Sequence, residues 1–265
     1  MVLVSLAVRR FGPRVGGLLG GLPVVAGPIL FIYALEQGEV FAAQAAANSL
    51  VALMALTAFV LSVANLGPRL GAIGSVVLGW GVFLAVGALV AQPGFAPVPG
   101  MVLDCAVFAA ALAVFPRPAP GEEPEPPRRP KHDLLLRGGV AAAMVLALTS
   151  AASRLGPTAS GILAPFPVIT SVLAGFATAH ETRATTLNLL RNMVRGFFSF
   201  AGFLFTVAVA VEPWGTAAAF SAAIGVTVAV QAALLLWDLR RVAAGCANCR
   251  GSRPSDDRKR RESAA

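Results

Sequence analysis

Two stretches of this chain repeat one another 144 positions apart. Gly12-Pro13, Gly17, Leu19, Pro23 and Val24 return as Gly156-Pro157, Gly161, Leu163, Pro167 and Val168. Each copy lies in an apolar run long enough to cross a bilayer, and each places Pro and Gly where a spanning helix is weakened. Interrupted hydrophobic segments at matching places in two halves of a chain are the sequence mark of a transporter-like membrane protein.

Composition points the same way. Hydrophobic residues make up 57% of the chain and charged residues 13%, about half the charge of an ordinary soluble domain. The stretches between Arg14 and Glu36, Glu39 and Arg69, Arg69 and Asp104, Arg154 and Glu181, and Glu212 and Asp238 hold 21, 29, 34, 26 and 25 residues without a formal charge. About 20 apolar residues cross the hydrocarbon core, and lipid leaves backbone groups no partner outside their own helix. The predicted fold class is therefore all-α, a polytopic transmembrane helical bundle. Spans are expected near 15–35, 41–64, 70–91, 99–115, 134–152, 159–179, 187–211 and 214–239, which makes eight. Residues 1–8 align with the end of the span at 134–152, as the last turns of a truncated first helix. They are no secretory signal, because Arg9 and Arg10 follow the apolar run instead of preceding it.

Four regions result. Residues 1–115 form a first membrane repeat and 134–239 a second. Between them, 116–133 is a linker with seven prolines and eight charges, read as extended and cytoplasmic. Residues 240–265 are a basic tail expected to be disordered. When the loops are alternated across the bilayer, 20 of the 21 Lys and Arg fall on one side and Arg154 alone on the other. Basic residues concentrate in cytoplasmic loops, so both ends are cytoplasmic. The first repeat then enters the membrane from inside and the second from outside: the repeats are inverted. The Arg-, Ala-, Gly- and Pro-rich usage suggests a bacterial plasma membrane. Trp214 and Trp237 bracket the last span at the spacing of two interfacial aromatic belts.

Candidate substrate-path residues begin with the prolines and glycines themselves. Pro23, Gly27 and Pro28 in the first copy, and Pro165, Pro167, Thr170 and Ser171 in the second, are expected to kink or unwind their spans at mid-depth. Freed carbonyls and half-helix ends there can coordinate an ion or a polar group. The plainer reading is that Pro and Gly merely let neighbouring helices approach. Gln44 and Asn48 share a helix face, and Asn188 and Asn192 repeat that spacing. An amide in hydrocarbon needs a partner, so all four are expected to face the bundle interior, as path lining or as interhelical hydrogen-bond glue. Glu36, Asp104 and His180 are candidates for a charge relay. Asp104 is the one acid inside a span, although an outer interface about 8 Å away is also within its reach. Arg191 and Arg195 share a face where they could meet an anionic group or snorkel to lipid.

No nucleophile elbow, HExxH, Walker loop or paired carboxylates occur, so enzymatic chemistry is not expected. No cofactor is implied. Cys246 and Cys249 form a CxxC, but with only His132 and His180 beside them one chain completes no evident zinc site. The expected partners are the lipid bilayer, anionic lipids at the basic tail Arg258 to Arg261, and a small-molecule substrate. A homodimer is left open, and nothing suggests nucleic-acid readout.

The stretch Gly161-Ile162-Leu163-Ala164-Pro165-Phe166-Pro167, with the run that follows to Phe200, resembles the GlpM-type family of small bacterial inner-membrane proteins. Gly17 to Pro23 is a looser version, with Gly21 in place of the first proline of that motif and Leu22 in place of its Phe. The resemblance implies a duplicated, fused form of a small helical unit, with a loose association to exopolysaccharide production. The spacing of the copies also looks like the inverted duplication of drug/metabolite-type transporters. Two functions follow as expectations: a permease or exporter of a small molecule, or a non-transporting scaffold or accessory subunit for envelope or exopolysaccharide assembly.

Overall fold

The computed structural model describes residues 23, 26–90, 96–119, 121–122, 136–144, 146 and 167–251, with side chains to 237 and at 240. The Gly-Pro landmarks at 12–13 and 156–157, Pro165, residues 1–8 and most of the linker lie outside the described residues. The described chain is helical, with no strand. Its elements are α1 (Ala26–Glu36), α2 (Glu39–Val90), α3 (Pro97–Val114), α4 (residues 136–144), α5 (Val168–His180), α6 (Arg183–Trp214) and α7 (Thr216–Gly251).

Four of these, not eight, are long and apolar enough to cross a membrane: α2, α3, α6 and the Thr216–Trp237 part of α7. The difference has identifiable causes. Two expected spans are joined in the 52 residues of α2, which laid straight would measure about 78 Å, more than twice a hydrocarbon core. They are folded back at Gly71, whose φ of 67° and ψ of −174° break the helix. Gly79 lies against Phe59, and Gly87 faces Ala55, so the arms 39–70 and 72–90 run antiparallel as a hairpin.

Within the described residues two further helices are short, and each starts just after a proline. Pro167 caps α5, and Ser171 N–H donates to its carbonyl at 2.7 Å; Gly27 N–H donates to Pro23 O at 2.9 Å at the start of α1. A first-turn N–H has no intrahelical acceptor, so a residue lacking one sits there without loss. α1 and α5 are 11 and 13 residues long. α4 covers only part of its expected span within the described residues. At the other end of the chain, α7 continues to Gly251, past the expected boundary near 239. Ala243, Ala244 and Ala247 there are strong helix formers.

Local structure recurs with the sequence. α1 ends at Glu36 and α5 at His180; α2 starts at Glu39 and α6 at Arg183. Gln37 donates to Tyr33 and Glu181 to Ala177; Ala42 donates to Gly38 and Thr186 to Thr182. Gly215, with φ 77° and ψ 162°, separates α6 from α7 as Gly71 separates the two arms of α2. Every one of these pairs is 144 residues apart.

α6 is the central helix, with 67% of its apolar stretch buried against 22–28% in the other three long helices. α2, α3, α5 and α7 pack around it. Glu39 Oε1 accepts from Thr216 N–H at 2.9 Å, while Gly67 lies against Thr178. The first arm of α2 therefore starts where α6 ends, and the two are antiparallel. Phe31 meets Phe220 edge-on at 5.2 Å, and Gly175 packs on Val76. Residues 31 and 175, and 76 and 220, are each 144 apart, so the second contact joins the counterparts of the residues in the first.

Glu36, Glu39 and Glu212 lie at the end where α6 stops, whereas Arg69, Arg183 and Arg137, whose guanidinium sits 5.1 Å over the Phe176 ring, lie at the opposite end together with Glu181, the C-cap of α5. Between them the surface is apolar, with Ile32, Leu35, Ile73, Leu89, Val102 and Ile224 among many exposed large side chains.

Candidate functional site

The polar interior of the bundle is carried by α6. Asn188 and Asn192 lie one turn apart on a helix, and Asn192 Nδ2 donates to Asn188 Oδ1 at 2.8 Å. Arg195, a further turn along, donates from Nη1 to Asn192 Oδ1 at 3.1 Å. Asn192 is buried and Asn188 half-buried. Another turn on, the buried Ser199 donates to Gln231 Oε1 at 3.0 Å, which ties α6 to α7. Four polar side chains thus form a ladder along one face of the most buried helix. Arg191 points elsewhere, its Nη2 3.5 Å from Leu112 O on α3, and its Nε is buried without a hydrogen-bond partner among the described residues.

Both short helices begin beside this interior. Gly27 lies against Phe203 of α6, and Ser171 accepts from Trp80 Nε1 at 2.8 Å. From those points α1 runs to the acidic end and α5 to the basic end. Thr170, Ser171 and Pro167 are buried, Pro23 and Gly27 half-buried, and Pro28 exposed. The two described helix starts thus lie inside the bundle, and the helices leave them toward opposite ends.

Asp104 lies at a similar depth. On α3 the buried positions are Gly100, Asp104, Phe108 and Ala111, a stripe at helical spacing that faces α2 and α6. Phe108 stacks edge-on against Phe198 at 5.2 Å, and Leu112 meets Arg191. One turn further in that antiparallel register, Asp104 falls beside residues just past 200, near the centre of the 183–214 helix. It is 0% exposed, and neither carboxyl oxygen has a hydrogen-bond partner among the described residues. The interfacial account of this residue does not fit, because the side chain lies on the inward stripe.

Other expectations need correction. Gln44 and Asn48 are exposed, not interior, and have no hydrogen-bond partner among the described residues. The buried face of that arm is taken by Ala42, Ala43, Ala46, Ala47 and Leu50, small residues that let helices approach closely and leave the amides on the outside. Glu36 and His180 are exposed at opposite ends of the bundle, and His180 stacks on Phe176 with Nδ1 3.2 Å from its carbonyl. No hydrogen bonds among the described residues join either to Asp104, so the three form no relay. Pro165 is outside the described residues. Gln231, overlooked in the sequence, carried a usable signal: it is the only amide between Thr216 and Trp237.

Among the described residues no three His, Cys, Asp or Glu side chains gather as a metal site would require. No family model, curated protein or solved structure matches this chain.

Proposed function

We propose that the protein is an integral membrane permease or exporter of a small molecule, working by alternating access between two inverted repeats in a bacterial plasma membrane. The observation that carries this reading is the 144-residue recurrence of helix ends, backbone hydrogen bonds and Gly breaks in two units packed antiparallel. Transporters built in this way bind substrate at the repeat interface, near half-helices that stop at the midplane. α1 and α5 supply such a pair, and the Asn188, Asn192, Arg195, Ser199 and Gln231 ladder supplies polar lining beside them. In this reading both arms of α2, together with α1, α3, α4, α5, α6 and α7, are taken as the membrane segments. The basic end, with Arg69, Arg137 and Arg183, faces the cytoplasm, and the acidic end, with Glu36, Glu39 and Glu212, faces outward.

The test is flux. Proteoliposomes preloaded with a small-molecule extract should release a defined solute, and Asn192→Leu should abolish that release while leaving a monodisperse protein. Unchanged release would remove Asn192 from the path. Orientation is checked by labelling single cysteines at 39 and 183, which should react from opposite sides of the membrane; the same side for both would dismantle the inverted arrangement. One observation favours the accessory-subunit reading: the exposed amides Gln44 and Asn48 offer a hydrogen-bonding face to another membrane helix. That reading requires a stoichiometric co-purifying partner and no flux.

A further inference from the structure

We infer that Asp104 is an intramembrane proton-binding site and that solute movement is coupled through it to the movement of a proton. The coupling half rests on the permease reading; the binding half does not. An acid inside a membrane bundle is expensive and normally paired, yet Asp104 is fully buried on the stripe of α3 that faces α2 and α6, and neither oxygen has a hydrogen-bond partner among the described residues.

The surroundings select the ligand. A hard metal cation takes about six oxygen ligands, and among the described residues no other Asp, Glu or His gathers with Asp104 as such a site would require. The flanking residues of its stripe, Gly100, Phe108 and Ala111, supply no side-chain oxygen. An organic cation needs room, and Phe108 fills the next turn with no exposed surface. A proton needs neither a coordination shell nor a cavity: it forms one O–H bond and cancels the charge whose burial is costly.

Other ionisable groups are remote or weakly placed. Cys105 is its neighbour on α3. The arms of α2 carry none between Glu39 and Arg69, or from Leu70 to Val90. On α6 the nearest are Arg191 and Arg195; Arg191 reaches α3 at Leu112, eight residues or about 12 Å along the helix from Asp104. Glu212 and Arg183 stand at the ends of α6. In the cycle, the carboxylate takes one proton from the aqueous phase on one side, is carried neutral through the closed packing, and returns that proton to the other side when the repeats rearrange.

The test uses the full chain in liposomes. Infrared difference spectra between acid and alkaline buffer should contain a carboxylic-acid C=O band that is lost in Asp104→Asn and reappears, displaced, in Asp104→Glu, with both variants eluting as the wild type does. A spectrum unchanged in Asp104→Asn overturns the inference, as does a band that follows sodium concentration at fixed pH. In the flux assay, Asp104→Asn should keep solute counterflow without a gradient and lose all response to an imposed pH gradient; a retained response overturns the coupling. If wild-type liposomes move no solute while the band behaves as expected, the permease reading fails and the proton site stands. If Asn does not fold, Asp104→Glu decides through displacement of the band.

Discussion

The two hairpins of this protein are the same construction put to different uses. In the first, arms 39–70 and 72–90 turn at Gly71; in the second, α6 and α7 turn at Gly215. Where the first brings Ala55 to Gly87, the second brings Ser199 to Gln231, again 144 residues on. Where the first leaves Gln44 and Asn48 on its outer surface, the second buries Asn192 and bonds it to Asn188 and Arg195. The backbone plan is held in common while the chemistry has moved into one half. α3 packs on α6 through Phe108, Phe197 and Phe198 and on α2 as well, and in the first arm the buried face is taken by Ala42, Ala43, Ala46 and Ala47, which leave Gln44 and Asn48 outside.

The largest expected effect tests the shared plan. Both turn glycines occupy a backbone region that is essentially glycine-only. Gly71→Val should therefore lose about 1–3 kcal/mol, read as a lowered melting midpoint in detergent. Gly215→Val should lose a similar amount for the same reason, since its Cβ would meet Glu39 Oε1 only at van der Waals distance, 3.6 Å. A loss at one site and none at the other would mean that the turns are not equivalent.

A smaller effect tests the divergence. Asn192→Leu removes a partner from Asn188 and Arg195 and should destabilise by about 1 kcal/mol, while Asn48→Leu should leave the melting midpoint where it was. Reversed results would put the buried network in the wrong half. The smallest effect concerns the link between α6 and α7. Ser199→Ala should cost about 0.6 kcal/mol by leaving the Gln231 carbonyl unmatched. Ser199→Ala with Gln231→Leu should recover most of it, because removing both partners avoids the unsatisfied group. A double variant worse than the single would show that Gln231 has a task beyond this bond.

Much of the fold was legible because lipid-compatible helices declare themselves locally. Charge-free runs located the two arms of α2 and most of α7, and the recurrence at 144 located the matching helix ends. The site was legible only in part. Asn188 and Asn192 meet because four residues are one helical turn, which spacing alone conveys. Gln44 and Asn48 have the same spacing and do not, because the alanines beside them claim the buried face. The prolines were legible as breaks, and the hydrogen bonds to the Pro23 and Pro167 carbonyls lie at the starts of α1 and α5; the chain above them lies outside the described residues.

The sequence by itself determined that this chain is helical, apolar and duplicated, and where basic and acidic residues separate, because those properties depend on composition and on neighbours within a turn or two. Tertiary structure decided which of the amides are buried, that α6 runs antiparallel to the first arm of α2, and that Asp104 is enclosed between α2 and α6. These depend on contacts between segments up to 189 residues apart, such as Phe31 with Phe220, and burial is a property of the neighbour that arrives and not of the residue that waits for it.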